Sequence, residues 1–210
     1  SNITIKKIPK VLLDTCEFGH NDYSLNIVSV PVTDLSLAEL KKAVAEKERV
    51  KEENVFVGNG SDEVLAFAVR AFFDPESAAV VFPKITYSFY PVYCNLFDVN
   101  YRCVENERDF SVDAEKLTGG QGVIIANPNA PTSLSLPLEK IARLAEINDG
   151  KPVIVDEAYI DFAAKTSSAV SLLNRYENLA VIKTFSKSYS LAGIRCGYMI
   201  ADKRLVKAME

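Results

Sequence analysis

Val153-Ile154-Val155-Asp156-Glu157-Ala158-Tyr159 decides the fold. A short, wholly apolar run of β-branched residues, without the alternation of a half-exposed strand, reads as a strand buried on both faces, and here it ends abruptly on an acid. The same kind of run recurs on either side. Residues 78–82, 99–104, 123–126 and 179–183 are mostly apolar, and among them lie longer stretches, 87–97 and 138–147. That alternation predicts an α/β protein with a mainly parallel sheet covered by helices on both faces, a three-layer α/β/α arrangement. Its ligands collect where the strands end at their carboxyl termini.

Upstream, Leu35, Leu37, Leu40, Ala43 and Val44 stand at roughly helical spacing over residues 35–48, and Val55-Phe56-Val57 reads as a short strand. Gly58-Asn59-Gly60 permits a tight turn, Ser61 is placed to cap, and Val64, Leu65, Phe67, Ala68 and Phe72 form a helical stripe that stops near Asp74-Pro75. The exposed amides at the start of such a helix can hold an anion. Gly119-Gly120-Gln121-Gly122 lacks the spacing of a dinucleotide fingerprint and reads as a loop before a buried strand. Residues 203–210 read as helical, and the chain is expected to be cut short at Glu210.

Composition narrows the function. The 210 residues are 48% hydrophobic, enough for a substantial core. Lys and Arg (24) and Asp and Glu (28) are interspersed, so no stretch concentrates positive charge and nucleic acid is not an expected partner. Cys16, Cys94, Cys103 and Cys196 form no CxxC pair, and His20 is the one histidine, so no metal site is expected. No apolar run approaches the roughly 20 residues needed to cross a bilayer, and Ser1-Asn2-Ile3-Thr4 does not open a signal segment. A cytoplasmic protein with reduced cysteines and no membrane partner is expected.

The chemistry is written downstream, in Thr184-Phe185-Ser186-Lys187-Ser188-Tyr189-Ser190-Leu191-Ala192-Gly193-Ile194-Arg195. One lysine stands among hydroxyls and a glycine, with an arginine following. That layout suits a phosphorylated aldehyde held covalently. A lysine forming a Schiff base must be partly withdrawn from water and neutral, while small hydroxyls and a guanidinium can hold the phosphate beside it.

With Val57-Gly58-Asn59-Gly60-Ser61-Asp62-Glu63, Pro83-Lys84-Ile85-Thr86-Tyr87, Asn127-Pro128-Asn129-Ala130-Pro131-Thr132 and Asp156-Glu157-Ala158-Tyr159 in this order, the chain resembles the fold-type I pyridoxal phosphate enzymes. Within them it is most similar to the histidinol-phosphate aminotransferases, a branch of the class I/II aminotransferases. The resemblance implies pyridoxal 5'-phosphate as cofactor. Lys187 would form the imine link and then move the proton between substrate and cofactor carbon, and Asp156 would pair with the pyridinium nitrogen. Tyr159 and Asn127 would reach the ring hydroxyl, and Tyr87 would stack on the ring in preference to Tyr90 or Tyr93. The phosphate would lie on the helix-start amides of Ser61, Asp62 and Glu63, whose acidic side chains point away, with Thr184, Ser186 and Arg195 completing the cup. Tyr23 resembles an N-terminal arm tyrosine that lies near substrate.

The chain departs from the family pattern at Ala130 and Ser133, where asparagine and glycine are frequent. It departs again at Val32, in the region from which a tyrosine usually reaches the neighbouring subunit's cofactor. The resemblance further implies an N-terminal arm over residues 1–34, a cofactor-binding large domain over 35–210, a small C-terminal domain due after Glu210, and a homodimer. The expected activity is amino transfer between an amino acid or histidinol phosphate and a 2-oxo acid such as 2-oxoglutarate, in histidine biosynthesis. The alternatives are a decarboxylase resembling threonine-phosphate decarboxylase and a cofactor-binding fragment without activity.

Overall fold

The computed structural model describes residues 34–163 and 168–210. Helix α1 (Asp34–Glu48) leads to strand β1 (Val55–Gly58), then α2 (Ser61–Phe72), β2 (Val80–Pro83), α3 (Phe89–Leu96), β3 (Tyr101–Val104) and β4 (Gly122–Ala126). There follow α4 (Leu138–Ile147), β5 (Val153–Asp156), β6 (Leu179–Thr184), β7 (Gly197–Ala201) and α5 (Lys203–Met209). The strands form one 7-stranded sheet in the order β1-β7-β6-β5-β4-β2-β3.

Every pairing from β3 across to β6 is parallel, whereas β7 runs antiparallel to both β6 and β1. The expected mainly parallel sheet is therefore present, with β7 the one reversed strand. The reversal has a simple cause. A parallel return needs a long crossover, usually helical, and between Thr184 and Gly197 the chain has only loop and a 3-10 turn at Ala192–Ile194.

Side-chain alternation sorts the strands' residues between two cores. Ile124, Ile154, Ile182 and Met199 pack beneath α2 and α3 with Val64, Leu65, Ala68, Tyr90 and Tyr93. Val123, Ile125, Val153, Val155 and Val181 face the other way, against Ile141 and Leu144 of α4. Leu40 and Val44 of α1 cover Val55, Tyr198 and Ile200 at the β1–β7 end. Helices thus lie on both faces. The same parity decides the site: Asp156 follows Ile154 towards the α2 face, and Lys183 follows Val181 towards the opposite one.

Register then gathers the strand ends. Ala126 pairs with Asp156, Asp156 with Ile182, and Thr184 and Gly58 both with Gly197. At this edge the start of α2 lies directly on β7. A Cβ on Gly197 would stand 2.3 Å from the Ser61 amide nitrogen, closer than packed atoms allow, so only glycine admits the helix here. The expectation that Ser61 caps α2 is corrected: Gly60, at φ 88°, occupies the capping position, and Ser61 is already the first helical residue. Glycine fits where the backbone turns left-handed.

Candidate active site

Ser61, Asp62, Tyr87, Ala126, Pro128, Ala130, Asp156, Ala158, Tyr159, Thr184, Ser186, Lys187 and Arg195 line one cleft at the carboxyl edge of the sheet. Most of the residues singled out from sequence meet there. Asn127 and Glu63 do not line it, and Tyr23, like Val32, Cys16 and His20, lies outside the described residues.

Asp156 forms the floor. It is 6% exposed; its Oδ1 accepts from the Ala158 amide at 3.1 Å and its Oδ2 from the Tyr90 hydroxyl at 3.0 Å. Burial pushes its carboxyl up to about 6, against the lowering pull of these two donors. Asp62 adds to the rise, and the charge of Lys187 opposes it. Such a carboxyl suits a partner that brings a positive charge or a proton.

At the far side, Asp62 departs from expectation. Instead of pointing away, its Oδ1 accepts from the hydroxyls of Tyr87 (2.8 Å) and Tyr93 (3.0 Å), and its Oδ2 lies 3.8 Å from Arg195 Nη2. The reason is tertiary: α3 and the turn before it lay two phenols against the first turn of α2. Burial and the Asp62 carboxylate raise both phenols above their ordinary value, so they remain donors. Glu63 does turn away, accepting from the Asn59 amide at 2.6 Å and so closing the turn before the helix. The first-turn amides of Ser61, Asp62 and Glu63 have no acceptor among the described residues, as at any helix start. Arg195, itself left-handed at φ 51°, lies over Gly60, where a Cβ would come within 2.7 Å of Nη2. Free amides, guanidinium and the absent Cβ make a cradle for a small anion.

Lys187 is also corrected. It is exposed on the loop beyond β6, not withdrawn from water, and its Nζ stands 5.3 Å from the centre of the Tyr159 ring. Tyr159, itself 39% exposed, is the aromatic wall beside it. Ser188 Oγ bonds Asp161, which ties the lysine's loop to the turn after Tyr159. Thr184 directs its hydroxyl to the Cys196 carbonyl at 3.4 Å and accepts from the Ser186 amide at 3.1 Å, so it shapes this loop. Asn127 is fully buried below the cleft, bonded through both ends of its amide to the Leu136 backbone. One amide proton of Asn127 is left for another acceptor.

Sequence reading passed over two supports. Asn129 donates to the Ile85 carbonyl at 2.9 Å and accepts from the Thr86 hydroxyl at 2.8 Å, pinning the turn that presents Tyr87. Behind the sheet, Lys183 Nζ lies 3.0 Å from Glu48 and 3.7 Å from Glu157, Lys183 and Glu157 buried and Glu48 largely covered. Glu157 Oε1 and Oε2 accept from the Ala169 amide and the Ser168 hydroxyl, each at 2.6 Å, and Tyr198 donates to Glu48 at 2.7 Å. Burial raises Glu157, whereas for Glu48 the charges of Lys183 and Lys47 outweigh burial and hold it below the ordinary 4.5. The stabilisation from Glu48 is therefore complete above 4.5 and lost as pH falls through its lowered value. Glu48→Ala, which strands part of a buried charge, is expected to cost about 3 kcal/mol in urea unfolding at neutral pH, with the deficit shrinking in acid.

The mainly parallel sheet, with helices on both faces and this cleft at its carboxyl edge, is the fold of the fold-type I aminotransferases. The chain belongs to the aminotransferase class I and II family, whose model matches residues 32–210. More particularly, it is 48% identical over 203 residues to the histidinol-phosphate aminotransferase of Clostridium botulinum strain 657, covering 96% of this chain and 55% of that protein. The chain spans about half the length of the curated relatives it matches. Among solved structures, the histidinol-phosphate aminotransferase of Sinorhizobium meliloti in complex with pyridoxal-5'-phosphate superposes at a TM-score of 0.76 with 26% identity, over 84% of this chain and 50% of that one. The L-threonine-O-3-phosphate decarboxylase of Porphyromonas gingivalis shares the fold at a TM-score of 0.73 and 20% identity, over 82% of this chain and 54% of that one.

Proposed function

We propose that this chain is the pyridoxal 5'-phosphate-binding part of an aminotransferase that moves an amino group from histidinol phosphate, or a similar amino compound, to a 2-oxo acid such as 2-oxoglutarate. The observation that carries it is the convergence of Lys187, Asp156 and the α2 anion cradle on one cleft. The donor set fits the cofactor: an amine for its aldehyde, a carboxylate for its ring nitrogen, and amides with a guanidinium for its phosphate. When bound, pyridoxal phosphate supplies an aldehyde that joins amines and a ring that withdraws electrons.

The protein's own groups do the rest. Lys187 would hold the cofactor through its aldehyde and, as an amine, would move the proton between the substrate α-carbon and the cofactor carbon. Asp156, already inclined to share a proton, holds one at the ring nitrogen. Tyr87 would cover one face of the ring against water, while Tyr159 offers its hydroxyl and Asn127 its remaining amide proton to the ring oxygen. Ser61, Asp62 and Glu63 present main-chain amides to the phosphate, joined by Ser186 and Arg195, with Thr184 holding the loop. In the same reading, a small domain follows and two copies pair in the cytoplasm. Among the described residues no helix is long and apolar enough to cross a membrane.

The test is turnover by this chain extended to the length of its curated relatives. Histidinol phosphate and 2-oxoglutarate are expected to yield glutamate. Carbon dioxide release from an amino acid phosphate without glutamate would instead indicate the decarboxylase, and no turnover of either kind would indicate a domain that only binds.

A further inference from the structure

We infer that Tyr90 is a positioning residue of this cleft, its phenol reaching from α3 to β5 to fix the orientation of the Asp156 carboxylate. Tyr90 is fully buried, packed edge-on against Phe82 (5.8 Å between ring centres) and Tyr87 (5.6 Å). A phenylalanine would make the same ring contacts. The hydroxyl is what differs, and its one acceptor among the described residues is Asp156 Oδ2 at 3.0 Å. A buried hydroxyl is costly unless bonded, so its presence calls for a partner that benefits.

That benefit is orientation. Asp156 Oδ1 is held by the Ala158 amide of its own strand end, and Oδ2 is held from a different element, so the plane of the carboxylate is set by two donors that cannot rotate together. Each oxygen keeps lone pairs for a further partner. The sequence contains the signal, since Tyr87, Tyr90 and Tyr93 recur at three-residue spacing, the first in the turn before α3 and the other two within it. The outer two hydroxyls go to Asp62, and the middle one alone goes to Asp156. The charged groups acting on Asp156 are Asp62 from α2, which opposes its ionisation, and Lys187 from the loop after β6, which favours it. The Tyr90 bond adds to the favouring side. The orienting role towards a ring nitrogen rests on the proposed function; the hydrogen bond does not.

The experiment therefore omits pyridoxal phosphate. In the 210-residue chain labelled with carbon-13 at aspartate carboxyls, the Asp156 resonance, assigned by its loss in Asp156→Asn, is followed against pH. Tyr90→Phe is expected to move its midpoint upward by about one unit, the worth of one hydrogen bond to a charged group. Tyr93→Phe, which removes an equally placed hydroxyl from Asp62, is expected to leave it in place. An unmoved midpoint in Tyr90→Phe, or an equal shift in Tyr93→Phe, overturns the inference. Should Tyr90→Phe not fold, uniform 3-fluorotyrosine labelling serves: more acidic phenols strengthen the bond and lower the midpoint, and an unchanged midpoint overturns it. Failure here concerns Tyr90 alone, whereas failure of Lys187 to take up cofactor concerns the proposed function.

Discussion

Lys187→Ala is expected to leave the fold intact and to reduce amino transfer by the extended chain by about 10⁴-fold or more, the scale of losing a positioned proton carrier. The fold survives because Lys187 is exposed and its ammonium touches little beyond the Tyr159 ring. A surface lysine over an aromatic contributes at most about 1 kcal/mol, so unfolding by urea should barely change. Activity is affected in two ways at once. On the proposed function, the amine that would join the cofactor is gone, and so is the base that would act at the substrate α-carbon. Steady-state turnover beside a urea titration separates this from a structural defect: both curves falling together would mean that Lys187 holds the loop and does no chemistry.

Asp156→Asn is expected to give the opposite pair of signs, greater stability with lower turnover. Asp156 is raised from 3.8 to about 6 by burial, so the folded chain binds this proton more tightly than the unfolded chain does. Stability therefore declines as pH rises between those values, and the deficit is constant above them. Asparagine keeps an oxygen for the Ala158 amide and can donate to the Tyr90 oxygen while removing the charge. At neutral pH the variant is expected to be more stable by up to about 3 kcal/mol, with the two curves converging below pH 3.8. Turnover of the extended chain is expected to fall by about 10²–10³-fold, as when one preorganised electrostatic partner is removed. Equal stability of the two proteins from pH 4 to 8 would show that the carboxyl is not strained by burial.

Much of this was legible in the chain because apolar runs declare buried strands and acids or hydroxyls at their ends declare loops. Asp156 and Thr184 lie where such reasoning puts them, at the last residues of β5 and β6. The reversed β7 was not legible, since Gly197-Tyr198-Met199-Ile200-Ala201 carries no sign of direction. The direction of Asp62 was not legible either, because it is set by hydroxyls 25 and 31 residues away. Lys183 closes the run 179–183, and nothing adjacent in sequence marks it as paired. Its carboxylate partner Glu48 is 135 residues distant, and only the folded chain shows the pair to be buried. The local pattern thus places backbone elements, while side-chain orientation in the cleft depends on contacts between elements far apart in sequence.

The central claim, that Lys187 carries pyridoxal phosphate in this cleft, is tested most directly by covalent capture. The purified chain is mixed with pyridoxal phosphate, its absorption spectrum recorded, the complex reduced with borohydride and the peptides mapped by mass spectrometry. Phosphopyridoxyl label at Lys187, absent from Lys187→Ala, is the predicted result. Label spread over surface lysines, with Lys187 unmodified both in this chain and in one extended to the length of its relatives, would contradict it.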